Sequence, residues 1–306
     1  MEIDGWSFIC GWAPYADYVF FARERDDLAD QDVVATGFYL WDEQQPNPDD
    51  RWSVYDEIVN WRAQGVASIK PATADRTTVA LGTHGQYFEV NPATAVENVG
   101  VIAGLDVLIR RVVAIGDVIF AAGMGRSVIR RLSLGTWTEF GPGTTPTDQD
   151  EDVVGFEGID GFSPDDIYVA GWAGEIWHWL HGAWQRIDSP TNANLNAVAC
   201  DHQNNLVFAV GDNGAMVRGT GDQWDFIDTG RPENLQDVAV FDGEVFVVTD
   251  FDILRLDRAG LIPEDRFIGG DAPDSCLHLL VAEDGIVSMG PKDLFTFSGG
   301  LWRRII

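Results

Sequence analysis

The sequence predicts an all-β protein folded as a single β-propeller with seven four-stranded blades. Two observations predict this fold. Segments of similar pattern follow one another along the chain, and their landmark residues recur about every 40 residues. Alternating apolar and polar positions punctuated by tight turns indicate antiparallel strands. A repeat of about 40 residues that holds four such strands is typical of a propeller blade.

Four segments carry the repeat most clearly. Each has an alternating apolar run, a turn that is usually glycine-rich, a second alternating run and a short turn, and three of them then continue into a tryptophan-containing strand. The segments begin at Asp117, Asp166, Asn205 and Glu244, and read DVIFAAGMGRSVIRRLSLGTWTEF, DIYVAGWAGEIWHWLHGAWQRI, NLVFAVGDNGAMVRGTGDQWDFI and EVFVVTDFDILRLDRAGLIPEDRFI. The pattern therefore predicts four consecutive blades in the middle of the chain.

Two landmarks extend the repeat to both ends. The residue that ends the second strand is found at Gly82, Gly123, Gly171, Gly211, Thr249 and Gly290, at intervals of 41, 48, 40, 38 and 41 residues. The tryptophan of the last strand is found at Trp52, Trp137, Trp184, Trp224 and Trp302. The longest glycine interval contains the insertion GPGTTPTDQDEDVVG.

Seven units follow from these landmarks. Their approximate spans are 7–60, 65–102, 106–141, 154–189, 195–230, 235–268 and 276–306. The first unit is long and divergent, so a six-bladed ring with residues 1–60 as a cap is the alternative. A strand near the N-terminus is a candidate to complete the last blade, because ring closure removes exposed strand edges. The only helical turn that we expect lies near Val54–Trp61.

The turn chemistry supports the strand assignment. Glycine at the second central position suits the positive φ of a type I′ hairpin. The predicted turns between second and third strands are His84-Gly85, Met124-Gly125, Ala173-Gly174 and Asn213-Gly214, and two between first and second strands are Asp242-Gly243 and Asp284-Gly285.

The run from Asn196 to Trp224, and its copy SPDDIYVAGWAGEIWHWLHGAWQRI, resemble bacterial propeller repeats of the WD-repeat/YVTN/BNR-like superfamily. The similarity is greatest to the type that reads LNAVWG…DVWAVGDGGTILHWDGTAW, and it covers about residues 105–230. The sialidase Asp-box is absent, and the Trp-Asp dipeptide of true WD repeats is absent at the expected strand ends, since Trp41-Asp42 lies in the divergent first unit. The resemblance thus implies the fold, and because propellers host many unrelated roles it implies no one activity.

The formal net charge of −29 narrows the range of partners. The chain has only two lysines, Lys70 and Lys292, among its 20 basic residues. Nucleic acids and anionic membranes bind basic surfaces, so neither is an expected partner. Strong negative charge instead favours rapid association with a basic protein.

The three cysteines, Cys10, Cys200 and Cys276, are widely spaced and form no metal-binding motif. The N-terminal residues MEIDGWSFICG lack the features of a signal peptide, and no run of 18 apolar residues occurs. We therefore expect a cytoplasmic, monomeric protein with free thiols and neither a cofactor nor a metal.

The repeated tryptophans have two interpretations. At one repeat position, a large aromatic ring fills the outward-widening gap between blades. Exposed rings would instead suit a carbohydrate-binding lectin.

Trp172 differs, because it lies in a predicted turn where the sister repeats have polar residues. It is a candidate anchor for a protein partner, since aromatic residues dominate binding hot spots, and packing over a neighbouring blade is its alternative.

In propeller geometry the turns between second and third strands share one face with the connections between blades. That face is the predicted partner-binding surface. Its candidate residues are His84, Arg126, Trp172, Asp212 and Asp252, with the acidic insertion residues Asp148, Asp150, Glu151 and Asp152 beside them. The insertion is either a site for a basic partner or a solvated charged loop.

Several basic residues fall on or near predicted inner strands of this acidic chain. Arg110, Arg111 and His278 could form an anion site in the central channel, or they could pair with the abundant carboxylates. His178 and His181 form an H-x-x-H pattern, but a spacing of three on a strand points the rings to opposite faces, so shared metal binding is not expected.

Together these features favour a non-enzymatic protein-binding propeller. An acidic propeller of this kind suits a cytoplasmic immunity or inhibitor protein that covers the active site of a basic bacterial toxin domain. The alternatives are a propeller lyase or hydrolase with a site at the channel mouth, and a lectin.

Overall fold

The computed structural model describes residues 5–31, 34–72, 75–91, 96–142 and 154–306. These residues form seven antiparallel sheets of four strands each, in sequence order around the ring. The predicted all-β, seven-bladed propeller is confirmed. The six-bladed alternative is excluded, because the divergent first unit forms a complete sheet.

The strands of the first four blades have the following bounds. Blade 1 contains β1 (Trp6–Tyr15), β2 (Tyr18–Arg25), β3 (Thr36–Asp42) and β4 (Trp52–Val59). Blade 2 contains β5 (Ala63–Ile69), β6 (Thr77–Gly82), β7 (Gln86–Asn91) and β8 (Val96–Val101). Blade 3 contains β9 (Ile109–Ile115), β10 (Val118–Gly123), β11 (Ser127–Ser133) and β12 (Thr136–Glu139). Blade 4 contains β13 (Phe156–Ser163), β14 (Asp166–Gly171), β15 (Ile176–Leu180) and β16 (Ala183–Ile187).

The last three blades complete the ring. Blade 5 contains β17 (Leu195–Asp201), β18 (Leu206–Gly211), β19 (Met216–Thr220) and β20 (Gln223–Phe226). Blade 6 contains β21 (Asp237–Phe241), β22 (Glu244–Val248), β23 (Ile253–Asp257) and β24 (Gly260–Pro263). Blade 7 contains β25 (His278–Val281), β26 (Ile286–Met289), β27 (Leu294–Ser298) and β28 (Leu301–Arg304). Short 3₁₀ turns occur at Asp26–Gln31, Pro48–Arg51, Trp172–Gly174, Asp212–Gly214 and Ile268–Gly270.

The segment near Val54–Trp61 is not a helical turn, so that prediction was wrong. Its first residues belong to β4, where Trp52 pairs with Trp41 and Val54 pairs with Tyr39. Tyr55 packs between blades 1 and 2, with its ring 5.2 Å from that of Phe20. The aromatic residues Trp52 and Tyr55 therefore belong to a strand and not to a helical turn.

Blade 7 takes all four strands from residues 278–304, so the prediction of a strand supplied by the N-terminal residues was also wrong for the described chain. The ring closes through turns and side chains instead. The N–H of Phe8 donates to the carbonyl of Pro291 at 2.9 Å. The N–H of Ala16 donates to Asp284 Oδ1 at 2.7 Å, and Lys292 pairs with Asp26. The last repeat is complete, so no exchanged strand is needed.

The repeated tryptophans pack between adjacent blades, as the first interpretation predicted. Trp184 donates its Nε1–H to the carbonyl of Phe140 in the preceding blade at 2.7 Å. The ring of Trp224 lies 6.1 Å from that of Tyr168, also in the preceding blade. Trp302 is completely buried, whereas Trp184 and Trp224 are half-buried. No helix in the described part of the chain has the length and apolar character to cross a membrane.

All three cysteines are buried free thiols. Burial raises the pKa of Cys10 and of Cys276 to about 12, and it also raises that of Cys200. The reactive thiolate is therefore scarce near neutral pH. We expect a thiol reagent at pH 8 to modify no cysteine in the folded protein and three after denaturation without reductant. Recovery of only one thiol in denaturant would mean that a disulfide had formed.

Candidate functional site

The turns between second and third strands lie at one end of the ring together with the connections between blades. The N–H of Trp172 donates to the carbonyl of Gly155 at 3.0 Å, and that of Asp212 donates to Asn194 at 2.9 Å. In each case a turn is bonded to the connection that enters its own blade. We call this end of the propeller the turn face.

Three consecutive turns on this face form what we call the turn arc: Trp172–Gly174 in blade 4, Asp212–Gly214 in blade 5 and residues 250–252 in blade 6. Ala173 and Asn213 have φ angles of 56° in the first two turns, and each precedes a glycine with positive φ, as a type I′ turn requires. Side-chain amides of the connections accept hydrogen bonds from both turns, at 3.0 Å for Ala173 N–H and 2.9 Å for Asn213 N–H. The arc is therefore held in a defined conformation.

Trp172 lies at one end of the arc and is half-buried. Its Nε1–H donates to Glu157 Oε1 at 2.7 Å, and Arg110 Nε lies 3.5 Å from the same carboxylate oxygen. Glu157 and Arg110 occupy bulge positions at the start of two inner strands, so this network links the arc to the channel mouth. The hydrogen bond fixes the indole while leaving part of its ring accessible.

The other end of the arc carries an exposed aromatic side chain that the sequence analysis missed. Phe251 is 68% exposed, the highest value for a large apolar side chain among the described residues. It lies between Asp250 and Asp252, which are also exposed. Thr249 Oγ1 accepts the N–H groups of Phe251 and Asp252 at 3.2 and 3.0 Å and orders the turn. The sequence did contain a signal for this side chain. In the run Thr-Asp-Phe-Asp, Phe251 stands where the sister repeat of blade 5 has Asn213.

The remaining predicted residues have different surroundings. Asp212 lies in the middle of the arc and accepts hydrogen bonds from Asn194 and Asn196 at 3.1 and 3.2 Å. His84 is exposed on the turn face but belongs to blade 2, two blades away from Trp172. Asp148, Asp150, Glu151 and Asp152 lie outside the described residues.

Arg126 lies in a turn of the same face, but its side chain points into the protein. It forms a two-pronged ion pair with Glu175 of the next blade, at 2.7 and 2.6 Å, and both groups are buried. Burial acts against the charge of Glu175, but Arg126 outweighs it and holds the pKa of Glu175 below its ordinary value. Arg126 therefore joins blades 3 and 4 and offers no accessible charge to a partner.

The central channel has a volume of about 250 Å³ and contains an internal ion pair. Arg111 of blade 3 donates from Nη2 to both carboxylate oxygens of Asp237 in blade 6, at 2.9 Å each. The N–H groups of Val238 and Leu279 donate to the same carboxylate at 3.0 Å. His278 Nδ1 lies 3.9 Å from Asp237. This arrangement corresponds to intramolecular pairing, because the positive charge that an anion would need is already neutralised.

The other arginines of blade 3 follow the same principle. Arg131 forms a two-pronged ion pair with the buried Glu89 of blade 2, at 3.2 and 3.1 Å. The guanidinium of Arg130 lies 5.0 Å from the ring centre of Phe140. Blade 3 thus supplies the positive charges that join blades 2, 4 and 6.

The histidines do not form a shared site. His178 is buried, stacks on Tyr168 with ring centres 3.9 Å apart, and bonds to Asp166 at 2.7 Å. His181 is exposed in a turn with a φ of 54°. In the described residues no three side chains of the metal-binding types come together.

Comparison with known proteins identifies a relative that matches along almost the whole chain. The chain is 31% identical over 308 residues to a protein of Pseudomonas aeruginosa named immune protein Tsi7, with 98% of this chain and 97% of that protein covered. No family model matches the sequence.

Among solved structures, YCF48 from Cyanidioschyzon merolae superposes with a TM-score of 0.68 over 96% of each chain. The identity in that superposition is 10%, so the similarity to YCF48 shows a common fold alone.

Proposed function

The chain belongs to the same family as the immune protein Tsi7, and on that premise we propose that it is an immunity protein that binds and neutralises a toxin protein. The observation that carries the proposal is the identity of 31% across nearly the whole of both chains. A propeller offers a rigid surface that can cover the active site of another protein. In this mode the chain neutralises the toxin by blocking its active site, and it does so as a monomer in the cytoplasm.

The toxin that we propose is basic. The chain has a net charge of −29, and strong charge of one sign accelerates the capture of an oppositely charged partner. The turn arc provides the chemistry for such a contact. Phe251 and Trp172 supply apolar area, and exposed carboxylates lie beside Phe251. Aromatic residues ringed by polar groups are typical of interface hot spots.

The function is tested with a candidate toxin protein, to be sought among the genes that neighbour the gene for this chain. Expression of the candidate alone should arrest growth of a sensitive bacterial host, and coexpression with this chain should restore growth. The two purified proteins should form a complex of one copy each. Growth arrest that persists despite abundant soluble immunity protein, together with the absence of a complex, would refute the proposal.

The turn arc predicts distinct kinetic effects for its apolar and charged residues. Phe251→Ala, and to a smaller extent Trp172→Ala, should raise the dissociation rate, because each removes buried contact area. A loss of about 2 kcal/mol for Phe251 corresponds to a roughly 30-fold faster dissociation. Phe226→Ala is the matched control, since Phe226 is 53% exposed but belongs to the outer strand β20.

Neutralisation of the acids should act on association instead. Replacing Asp250 and Asp252 with asparagine, or the four acids of the insertion with their amides, should slow association and flatten its salt dependence, because steering is screened beyond about 10 Å at 0.1 M salt. Surface plasmon resonance at two ionic strengths separates the two effects. If the arc variants bind like the wild type while Phe226→Ala does not, the toxin contacts the outer strands and the arc is not the site.

A further inference from the structure

The outer strand of blade 2 lacks the tryptophan that the outer strands of blades 1, 3, 4, 5 and 7 carry. In blades 3, 4 and 5, the residue eight positions after the glycine that ends the second strand lies opposite a tryptophan of the outer strand. These pairs are Arg131 with Trp137, Trp179 with Trp184, and Gly219 with Trp224. In blade 2 the same position is Val90, eight residues after Gly82, and its partner is Glu97.

Glu97 projects towards blade 1. Residues directly opposite each other in an antiparallel pair share one face of the sheet, and Val90 is buried in the cluster between blades 1 and 2. Tyr55 of blade 1 packs against the same cluster. An exposed carboxylate therefore occupies the register at which the sister blades place an indole.

A cleft lies beside this register, since its lining includes Tyr55 and also Thr78, the residue that pairs with Val90. Its volume is about 540 Å³, within the range of about 300–1,000 Å³ that is usual for ligand pockets. Its walls include Trp12, Tyr18, Phe20, Leu40 and Tyr55. These five side chains all come from blade 1 and form an aromatic wall. On the side of blade 2, the guanidinium of Arg76 lies 4.8 Å from the ring centre of Trp12.

The polar groups of the cleft suit an uncharged aromatic group on a peptide. Tyr18 and Tyr55 both line the cleft, and a tyrosine hydroxyl can donate a hydrogen bond to a peptide carbonyl group. The rim carries two bases, Lys70 and Arg76, and two acids, Asp42 and Asp75. Opposite charges in equal number favour a neutral ligand over an anion or a cation.

We propose that the cleft between blades 1 and 2 binds an aromatic side chain of a partner polypeptide, which takes the place of the absent tryptophan. The sister gaps provide the precedent for the occupant. There the indole of Trp184 packs against the preceding blade and donates to the backbone carbonyl of Phe140 at 2.7 Å. Tyr15 and Lys70, at first-to-second strand turns, place the cleft at the end of the ring opposite the turn face. The site is therefore separate from the proposed toxin surface.

The test uses N-acetyl-L-tryptophanamide as the probe and the isolated full chain, without a toxin. Titration followed by nuclear magnetic resonance should give saturable binding with a dissociation constant of about 1 mM, the scale expected for one side chain. Glu97→Trp should fill the cleft from within and weaken binding at least about 10-fold. The matched control Glu97→Gln removes the charge without filling the cleft and should bind the probe like the wild type.

A second variant keeps the test valid if Glu97→Trp does not fold. Replacing Tyr18 and Tyr55 together with phenylalanine preserves the aromatic walls and removes only the hydroxyls, so it should weaken binding about 10-fold. Three results would each overturn the proposal. The first is that N-acetyl-L-alaninamide binds as tightly as the probe, and the second is that Glu97→Trp and Glu97→Gln bind the probe equally well. The third is that free L-tryptophan binds and N-acetyl-L-tryptophanamide does not. The last result would identify a small-molecule site instead. None of these results bears on the immunity function, because no toxin takes part.

Discussion

Asp237→Ala is expected to lower the free energy of unfolding by about 3–5 kcal/mol, because it breaks a buried ion pair by removing one partner. Asp237 is completely buried and accepts both hydrogen bonds of Arg111 across the channel. The variant leaves the guanidinium in the channel without its counter-charge. It also removes the acceptor of the N–H groups of Val238 and Leu279. Equilibrium denaturation in urea measures the loss.

Two further variants separate charge from hydrogen bonding. Asp237→Asn keeps an oxygen acceptor for the backbone N–H groups, so it should cost less than Asp237→Ala. The double variant Arg111→Met/Asp237→Leu removes both charges, and it should recover part of the loss because no unpaired charge remains. A loss below about 1 kcal/mol for Asp237→Ala would contradict the structural role of the pair and would restore Arg111 as a candidate anion ligand.

The pair also predicts a pH dependence. Burial acts to raise the pKa of Asp237, but Arg111, His278 and the N–H of Leu279 outweigh it and hold that pKa below its ordinary value. The unfolded chain therefore binds this proton more readily than the folded protein. The stabilisation that the ion pair gives to the folded protein is complete above the ordinary carboxyl pKa of about 3.9. It is lost as the pH falls through the lower pKa that Asp237 has in the folded protein. The stability difference between wild type and Asp237→Ala should narrow in strong acid.

The repeat was predictable from the sequence because its signals are local. Alternating runs, the glycine that ends each second strand and the Ala173-Gly174 and Asn213-Gly214 turns all report on neighbouring residues. The partners of the blade 3 arginines were not predictable. Asp237 lies 126 residues from Arg111, and only closure of the ring brings the two together. The sequence could indicate that carboxylates would pair with these arginines, but not which ones.

The candidate site shows the same limit. The sequence placed Trp172, Asp212 and Asp252 on one face, but burial of a turn side chain depends on the neighbouring blade. The ion pair with Glu175 holds Arg126 inside the protein, whereas Phe251 is 68% exposed. The vacant register at Glu97 was missed for a related reason, since it becomes visible only when strand pairing aligns blade 2 with its sisters.

Trp302→Ala is expected to cost about 3–5 kcal/mol of unfolding free energy, the range for removal of a buried large aromatic side chain. Trp302 is the largest of the completely buried side chains and packs against Phe297 of its own blade and Phe246 of blade 6, with ring centres 5.1 and 5.9 Å away. The alanine variant leaves a cavity between blades 6 and 7. The half-buried Trp224 has less area to lose, so Trp224→Ala should cost less.

The matched control is Trp302→Phe. The Nε1–H of Trp302 is buried and has no acceptor among the described residues, so phenylalanine removes an unsatisfied donor and keeps most of the ring contact. The phenylalanine variant should therefore retain well over half of the stability that alanine loses, as measured by denaturation in guanidinium. Equal losses for Trp302→Ala and Trp224→Ala would contradict the argument, because the cost would then not follow the depth of burial. Such a result would mean that the outer strands contribute to stability through pairing more than through contact between blades.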